Sequence, residues 1–271
     1  LNVLMAEGEE VSEHLCGHPG VSLLVFSGRL SVAEKIRANP MVQSKRTHFL
    51  CGGRNSCVIF ADADLESAAQ NIAQKVAFHR FDTSLKPSRF FVHESIFQKF
   101  FQLLDHNLSL PENLGQQDLY LKSIDREKYQ AIINQINNET KRSQKPDAKT
   151  HFSNGLFFSE ILSSCSPLQT AEAIGPVVTL HRFKYPHELI KPIEISEQTH
   201  CVYLFTQSLE RAHRFIRQID ASRVEVNGLG DDPLEVEYTG IREACWGQIG
   251  GNSWAEFFSR KKAIKMNWQG Q

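Results

Sequence analysis

The stretch Lys45–Asn55 contains two side chains that could bind a metal, and a pair of glycines follows them. His48 and Cys51 are three residues apart, and imidazole and thiolate are common ligands of transition metals. The surrounding residues are apolar, which favours a β-strand, and residues three apart on a strand face opposite sides of the sheet. We therefore expect no metal site at this pair.

A second stretch, Ala77–Arg89, is rich in polar side chains. His79, Arg80 and Asp82 follow one another closely enough to hold an anion, although a solvated loop end is the alternative interpretation. The sequence alone leaves this choice open.

The residues around both stretches resemble the catalytic half of the NAD(P)-dependent aldehyde dehydrogenase superfamily. In the family, the first stretch has the motif K-R-V-S-L-E-L-G-G-K-N, in which the glutamate is the general base. Leu50 stands at that position in this chain. In the family, the second stretch contains the motif G-Q-x-C followed by S-R, and its cysteine is the nucleophile. That position falls on Leu85 when counted from Ala77, or on Ser84 when counted back from Arg89.

Further family motifs occur in the expected order along nearly the whole chain. Gly28 and Arg29 stand where the family has the glycine and serine of F-T-G-S, which lie near the cofactor pyrophosphate. Glu172 stands at the glutamate of E-I-F-G-P-V, which usually holds a cofactor ribose. Two longer matches are Phe60–Leu65 with F-x-D-A-D-L, and Tyr238–Gln248 with F-G-G-x-x-x-S-G-x-G-R. The resemblance implies vestigial cofactor-binding positions at Gly28, Arg29 and Glu172.

The substitutions at these positions predict that the resemblance extends to the fold but not to the reaction. Aldehyde oxidation in the family needs a thiolate to attack the carbonyl carbon and a base to activate water. Leu50 has no side-chain atom that accepts a proton, and a serine or leucine cannot replace the thiolate. We expect a catalytically inactive domain with a structural or oligomerisation role, like the degenerate copies at the end of bifunctional proline-utilisation enzymes.

Two other functions stay open. The chain could be an NAD(P)-dependent aldehyde or semialdehyde oxidoreductase of proline or arginine catabolism, completed by the rest of a longer polypeptide. It could instead be a binding module for a small metabolite or a nucleotide. No cofactor is expected, and NAD or NADP is the expected group if one binds. The expected partners are a missing amino-terminal portion of a longer chain or a second copy of this one.

Composition is that of a cytoplasmic globular protein. The chain has 271 residues, of which 41% are hydrophobic, and its 30 basic and 31 acidic side chains give a net charge of −1. This balance provides no electrostatic footprint for nucleic acid. The six cysteines form no C-x-x-C pair, and no apolar run reaches the roughly 20 residues that cross a bilayer. We expect no nucleic-acid partner and no membrane partner.

Strand and helix patterns alternate along the chain, which predicts an α/β fold. The resemblance refines this to a three-layer α/β/α catalytic domain with a remnant of a Rossmann-like nucleotide-binding domain. The expected division is residues 1–46 for the remnant, 47–240 for the catalytic-type domain and 241–271 for a carboxy-terminal return segment. Residues 138–150, which are almost entirely polar, are predicted to form an exposed loop.

Overall fold

The computed structural model describes residues 2–5, 8–28, 30–51, 53–78, 86–110, 134, 150–153, 156–160, 177–194, 199–229, 235–240 and 245–268. Its helices are α1 (Gly8–Gly17), α2 (Leu30–Ala38), α3 (Leu65–Phe78), α4 (Phe97–Leu108), α5 (Ile190–Glu194), α6 (Leu209–Ile216) and α7 (Gly251–Phe258). Its strands are β1 (Leu23–Gly28), β2 (Arg46–Cys51), β3 (Asn55–Ile59), β4 (Pro87–His93), β5 (Thr150–Ser153), β6 (Leu156–Glu160), β7 (Val177–Phe183), β8 (Cys201–Phe205), β9 (Arg223–Val226), β10 (Tyr238–Thr239), β11 (Cys245–Trp246) and β12 (Gln248–Ile249).

The largest of the three described sheets has seven strands in the order β5-β6-β7-β4-β3-β8-β9, and β10 pairs with β12 in a sheet of two. In the seven-stranded sheet, all neighbouring pairs are parallel except β5 and β6, which are antiparallel. In consequence β3, β4, β7, β8 and β9 all begin at one edge of this sheet. Both faces are covered by helices, which explains why β3 and β8 are buried at every position.

Alternate residues of the central strands enter two separate hydrophobic cores. On one face, Ile59 and Phe90 pack with residues of α3 and α4, including the fully buried Phe100. On the other face, Val58 and Phe91 pack with residues of α5 and α6. This period of two along the strands produces three layers, with helices on both sides of the sheet. The expected α/β/α architecture is confirmed.

A smaller sheet of three described strands has the order β1-β2-β11. Strand β1 is parallel to β2, and β11 is antiparallel to it. Phe49 and Cys51 point to the face covered by α2, where they pack with Ala33. His48 points to the opposite face, where its ring contacts Trp254 and Phe257 of α7.

The described residues show the predicted alternation of strands and helices. Helix α3 begins beside Asp64, whose Oδ1 accepts a hydrogen bond from the Ser67 amide at 3.1 Å. In helices α1, α5 and α7 the apolar residues are too few to give a clear helical period. Thr150, the last residue of the predicted loop, begins β5, and residues 138–149 lie outside the described part of the chain.

The division of the chain into three domains stays a prediction. Strand pairing places β2 beside β1, so the change from the smaller sheet to the larger one falls between Cys51 and Asn55. The expected boundary lies five residues earlier, just inside the start of β2. In the described helices there is no segment long and apolar enough to span a bilayer.

Candidate functional site

The candidate site is the junction at which the chain leaves the smaller sheet and enters the larger one. Strand β2 ends here, and β3, β4 and β8 begin here. Leu50, the predicted position of the lost base, is the penultimate residue of β2 and is half-buried. In the strand register it lies opposite Ser27 of β1 on one side and Cys245 of β11 on the other. The junction therefore brings Leu50 to the edge at which the central strands of the larger sheet start.

Asn55 ties three strands together at this junction. Its side chain is fully buried, and Oδ1 accepts hydrogen bonds from the amides of His200 at 3.0 Å and Cys201 at 2.8 Å. Its Nδ2 donates to the carbonyl of Lys86 at 3.2 Å. The His200 ring nitrogen Nε2 lies 3.4 Å from the carbonyl oxygen of Cys51, which connects the two sheets. An asparagine suits this position because one amide group can donate and accept at once.

Arg89 of β4 makes hydrogen bonds to several segments at the same edge. Its Nη1 donates to the carbonyl of Pro192 at 2.7 Å, and its Nη2 donates to Ser56 Oγ at 2.8 Å and to the carbonyl of Arg54 at 3.1 Å. The planar guanidinium reaches three acceptors in fixed directions, which a lysine could not do. Arg89 thus holds the segment after β2 against β3 and α5.

Buried basic groups dominate the electrostatics of the junction. Burial, together with the charge of Arg54, lowers the pKa of Arg89 to about 9. Burial and the charges of Arg89 and Arg54 lower the pKa of His181 to about 3. The His181 ring stacks on Phe91 at 4.9 Å, and its Nε2 lies 3.0 Å from Thr179 Oγ1. At neutral pH His181 is therefore an uncharged imidazole beside a cationic group.

Gly28 marks the end of β1, immediately before helix α2. A Cβ atom added to Gly28 would lie 2.7 Å from Cζ of Phe26, whose ring covers that face of the glycine. Ala33, which is fully buried, packs between α2 and the smaller sheet. These residues retain the strand–glycine–helix frame that can direct a helix N-terminus at a pyrophosphate. The described residues add no side chain placed to hold a ribose or a nicotinamide, so no step through a cofactor follows from them.

Four of the predicted site residues lie outside the described residues, namely Arg29, Ser84, Leu85 and Glu172. The interpretations of these four positions stay predictions, as does the interpretation of His79, Arg80 and Asp82. Among the described residues, Leu50 and Gly28 lie on neighbouring β2 and β1, each at or next to the carboxyl end of its strand.

Three cysteines in the strands are buried free thiols. Cys51, Cys57 and Cys201 are fully buried and form no disulfide, as is usual for free cysteines in apolar surroundings. Burial raises the pKa of the Cys57 thiol well above its usual value, with a further contribution from Cys201. Within the described ranges, no three histidine, cysteine or carboxylate side chains gather into a metal-binding group.

The sequence did not predict that one pair of reactive side chains, a cysteine and a histidine, would lie close together. Cys245 Sγ lies 4.0 Å from His48 Nε2, although the two residues are far apart in the chain. The available signal was that Cys245 replaces a glycine of the family motif F-G-G-x-x-x-S-G-x-G-R. Its pairing with His48 depends on the antiparallel contact of β11 with β2.

Comparison with known proteins defines the class. The profile described as "Aldehyde dehydrogenase family" matches residues 1–264, so the chain belongs to the aldehyde dehydrogenase family. Aldehyde dehydrogenase 1A1 of Oryctolagus cuniculus is 25% identical over 97% of this chain and 55% of the relative. The 4-trimethylaminobutyraldehyde dehydrogenase B of Danio rerio is 24% identical over 95% of this chain and 52% of the relative. The chain spans about half the length of these curated relatives.

Solved structures agree with the fold. The NAD-dependent aldehyde dehydrogenase from Sinorhizobium meliloti matches with a TM-score of 0.80 and 21% identity, covering 96% of this chain and 53% of that one. The NADP-dependent glyceraldehyde-3-phosphate dehydrogenase from Bacillus halodurans C-125, complexed with NADP, matches with a TM-score of 0.77 and 17% identity. That match covers 96% of this chain and 56% of the other.

Proposed function

We propose that this chain is a catalytically inactive aldehyde-dehydrogenase domain with a structural role. The proposal rests on Leu50, which the family motif aligns with the general base and which lies at the junction of the two sheets. A leucine there cannot accept a proton from water, so the hydrolysis of a thioester intermediate would lose its base.

The nucleophile position strengthens the proposal. Either Ser84 or Leu85 stands where the family has its cysteine, and neither side chain can form the thiohemiacetal from which a hydride leaves. Loss of a covalent nucleophile costs on the order of 10⁴–10⁶ in rate. Two independent changes at Leu50 and at the cysteine position leave the chain without the two chemical groups that the reaction requires.

A structural role is supported by a surface of the smaller sheet that the described residues leave uncovered. Among the described strands β1 pairs with β2 alone, and Val25 in β1 is 43% exposed. An open strand edge can pair with a further strand. The chain also spans about half the length of its relatives. The partner that we propose for this edge is the remaining portion of a longer chain or a second copy.

Two alternatives carry different predictions. An oxidoreductase completed by a longer chain is favoured by the partial coverage of the relatives, and it requires binding of NAD or NADP by the longer protein. A binding module for a metabolite or nucleotide is favoured by the basic groups Arg54 and Arg89 at the junction. Isothermal titration with NAD⁺ and NADP⁺ tests both alternatives.

The test of the main proposal restores the missing groups. Leu50→Glu is combined with Ser84→Cys in one variant and with Leu85→Cys in another, because both registers are open. Each is mixed with NAD⁺ or NADP⁺ and propanal, and reduction of the cofactor is followed by absorbance. We expect no heat of cofactor binding at millimolar concentration and no turnover in the original chain or in either variant.

Leu50→Gln with the same cysteine changes is the matched control, since glutamine has the size of glutamate but cannot act as a base. Turnover in a glutamate variant and not in its glutamine control would overturn the proposed structural role. Micromolar binding of either cofactor by the original chain would instead favour the alternatives.

A further inference from the structure

The chain contains two Asn-Gly pairs, which begin at Asn154 and at Asn227. Asn154 lies outside the described residues, whereas Asn227 directly follows β9 and is exposed. The φ of Asn227 is 57°, in the left-handed region, which asparagine tolerates because its short side chain can form local hydrogen bonds. In an Asn-Gly pair the backbone nitrogen of the glycine can approach the side-chain amide closely, because glycine has no Cβ atom to obstruct it.

Thr206 holds both ends of the Asn227 side-chain amide. Oδ1 of Asn227 accepts a hydrogen bond from the Thr206 amide at 3.0 Å, and Nδ2 donates to the Thr206 carbonyl at 2.8 Å. Gly228 is less restrained, because no described residue accepts a hydrogen bond from its amide. A Cβ atom added to Gly228 would have no heavy atom within 4 Å apart from its chain neighbours. The restraint therefore acts on the side chain of Asn227 and not on the nitrogen next to it.

We propose that Asn227 is a site of spontaneous deamidation, and that release of its side chain from Thr206 controls the rate. The Gly228 nitrogen forms a bond to Cγ of Asn227 and loses its proton, and ammonia leaves Cγ with that proton. The product is a five-membered succinimide ring. One water molecule then opens the ring. Aspartate results if the bond from the nitrogen to Cγ breaks, and isoaspartate results if its bond to the main-chain carbonyl carbon breaks.

The two hydrogen bonds must open before this reaction, because Cγ has to turn from Thr206 towards the Gly228 nitrogen. Local opening at the exposed end of a strand occurs without unfolding of the whole chain. Two hydrogen bonds of ordinary strength reduce the open fraction by about 10- to 100-fold relative to the unfolded chain. The exposure of Asn227 gives access to the water that opens the ring. The fold thus slows the modification without preventing it.

The product changes the contacts of Thr206 and of the start of helix α6. A carboxylate at position 227 has no hydrogen to donate to the Thr206 carbonyl. It also places a second negative charge near Thr206, whose Oγ1 donates to the Asp62 carboxylate at 2.9 Å. The same Oγ1 accepts a hydrogen bond from the Ser208 amide at 3.2 Å, directly before α6. Deamidation therefore weakens the contacts between the end of β9 and the start of α6.

Peptide mass spectrometry of the purified full chain tests the site. The folded chain is incubated at pH 8 and 37 °C, and the aspartate and isoaspartate forms of each asparagine-containing peptide are quantified. Asn71 of α3 is the internal reference, because the bulky Ile72 follows it. We expect modification at Asn227, with isoaspartate among the products, and none at Asn71. Modification of Asn227 no greater than that of Asn71 would overturn the proposal.

Unfolding the chain tests the control by Thr206. In guanidinium chloride, Asn227 should react about 10- to 100-fold faster than in the folded chain, because no hydrogen bond has to open first. Its rate should then equal that of Asn154, since both are unrestrained Asn-Gly pairs in the unfolded chain. A rate at Asn227 that is the same in the folded and the unfolded chain would exclude the proposed role of Thr206.

Gly228→Ala tests the attacking group. The added Cβ atom restricts the approach of the nitrogen, so modification of Asn227 in the folded chain should slow by about tenfold. The fold has room for this atom, and we expect an unchanged midpoint of urea unfolding. An unchanged rate of modification would show that the Gly228 nitrogen is not the attacking group.

Asn227→Asp reproduces the aspartate product and tests its effect on the fold. We expect the midpoint of urea unfolding to fall by about 0.5–1 M. Asn71→Asp, on the exposed face of α3, is the matched control and should change the midpoint by about 0.2 M or less. Equal changes in the two variants would refute the proposed effect on β9 and α6. The proposed structural function is tested separately by cofactor binding and turnover, so either proposal can fail alone.

Discussion

Asn55 should contribute more to the stability of this fold than any surface asparagine, because it joins three strands at the junction of the sheets. Asn55→Ala removes the bonds accepted from the amides of His200 and Cys201 and the bond donated to Lys86. Each bond contributes about 1–1.5 kcal/mol, so the three together contribute about 3–4.5 kcal/mol. The site is fully buried, and water cannot replace the lost group.

Urea unfolding followed by circular dichroism measures this loss. With a slope of about 3 kcal/mol/M, the expected fall in the midpoint is about 1–1.5 M. Asn71→Ala is the matched control, since its Nδ2 donates to the Ser67 carbonyl at 2.8 Å on the exposed face of α3. That change should cost about 0.5 kcal/mol or less. A loss below about 1 kcal/mol for Asn55→Ala at unchanged slope would refute the reasoning that Asn55 holds the junction.

Three further predictions concern the core, a helix cap and acid stability. The pKa of His181 is lowered to about 3 in the fold, compared with about 6.5 in the unfolded chain. Between these two pH values the unfolded chain binds a proton at His181 and the folded chain does not. The free energy of unfolding should therefore fall by about 1.4 kcal/mol for each pH unit of acidification in this range. His181→Gln should flatten this dependence in urea unfolding at pH 6.5, 5.5 and 4.5, and parallel profiles would contradict the assignment. Phe100→Ala should cost about 3–5 kcal/mol because Phe100 is fully buried, whereas Phe258→Ala at 52% exposure should cost about 1 kcal/mol or less in the same assay. At the start of α6, Ser208 Oγ accepts a hydrogen bond from the Arg211 amide at 3.2 Å. Ser208→Ala should therefore lower the free energy of unfolding by about 1 kcal/mol. An unchanged free energy of unfolding would argue against a capping role.

Local pattern was sufficient to predict most of the fold. The central strands read as short apolar runs because parallel strands are buried on both faces, as β3 and β8 are here. Helices α3 and α4 were predictable because their apolar residues recur at helical spacing and α3 begins at a capping aspartate. Short α5 and the lightly packed α7 were not, since so few of their residues face the core that no period emerges.

The sequence by itself determined the identity of the side chain at the predicted base position. Leu50 cannot act as a base in any fold, because the limitation is one of covalent structure. The sequence also determined that Asn55 and Arg89 were present, but not what they contact. Their partners at Lys86, His200 and Pro192 are distant in the chain, and only strand order brings them within hydrogen-bond distance.

Only the tertiary structure decided which histidine meets which cysteine. Spacing alone suggested His48 with Cys51, which the strand geometry separates onto opposite faces. The antiparallel contact of β11 with β2 instead brings Cys245 to His48 from a distant part of the chain. The physical reason is that side-chain direction on a strand follows local alternation, whereas the neighbour across a sheet depends on the path of the whole chain.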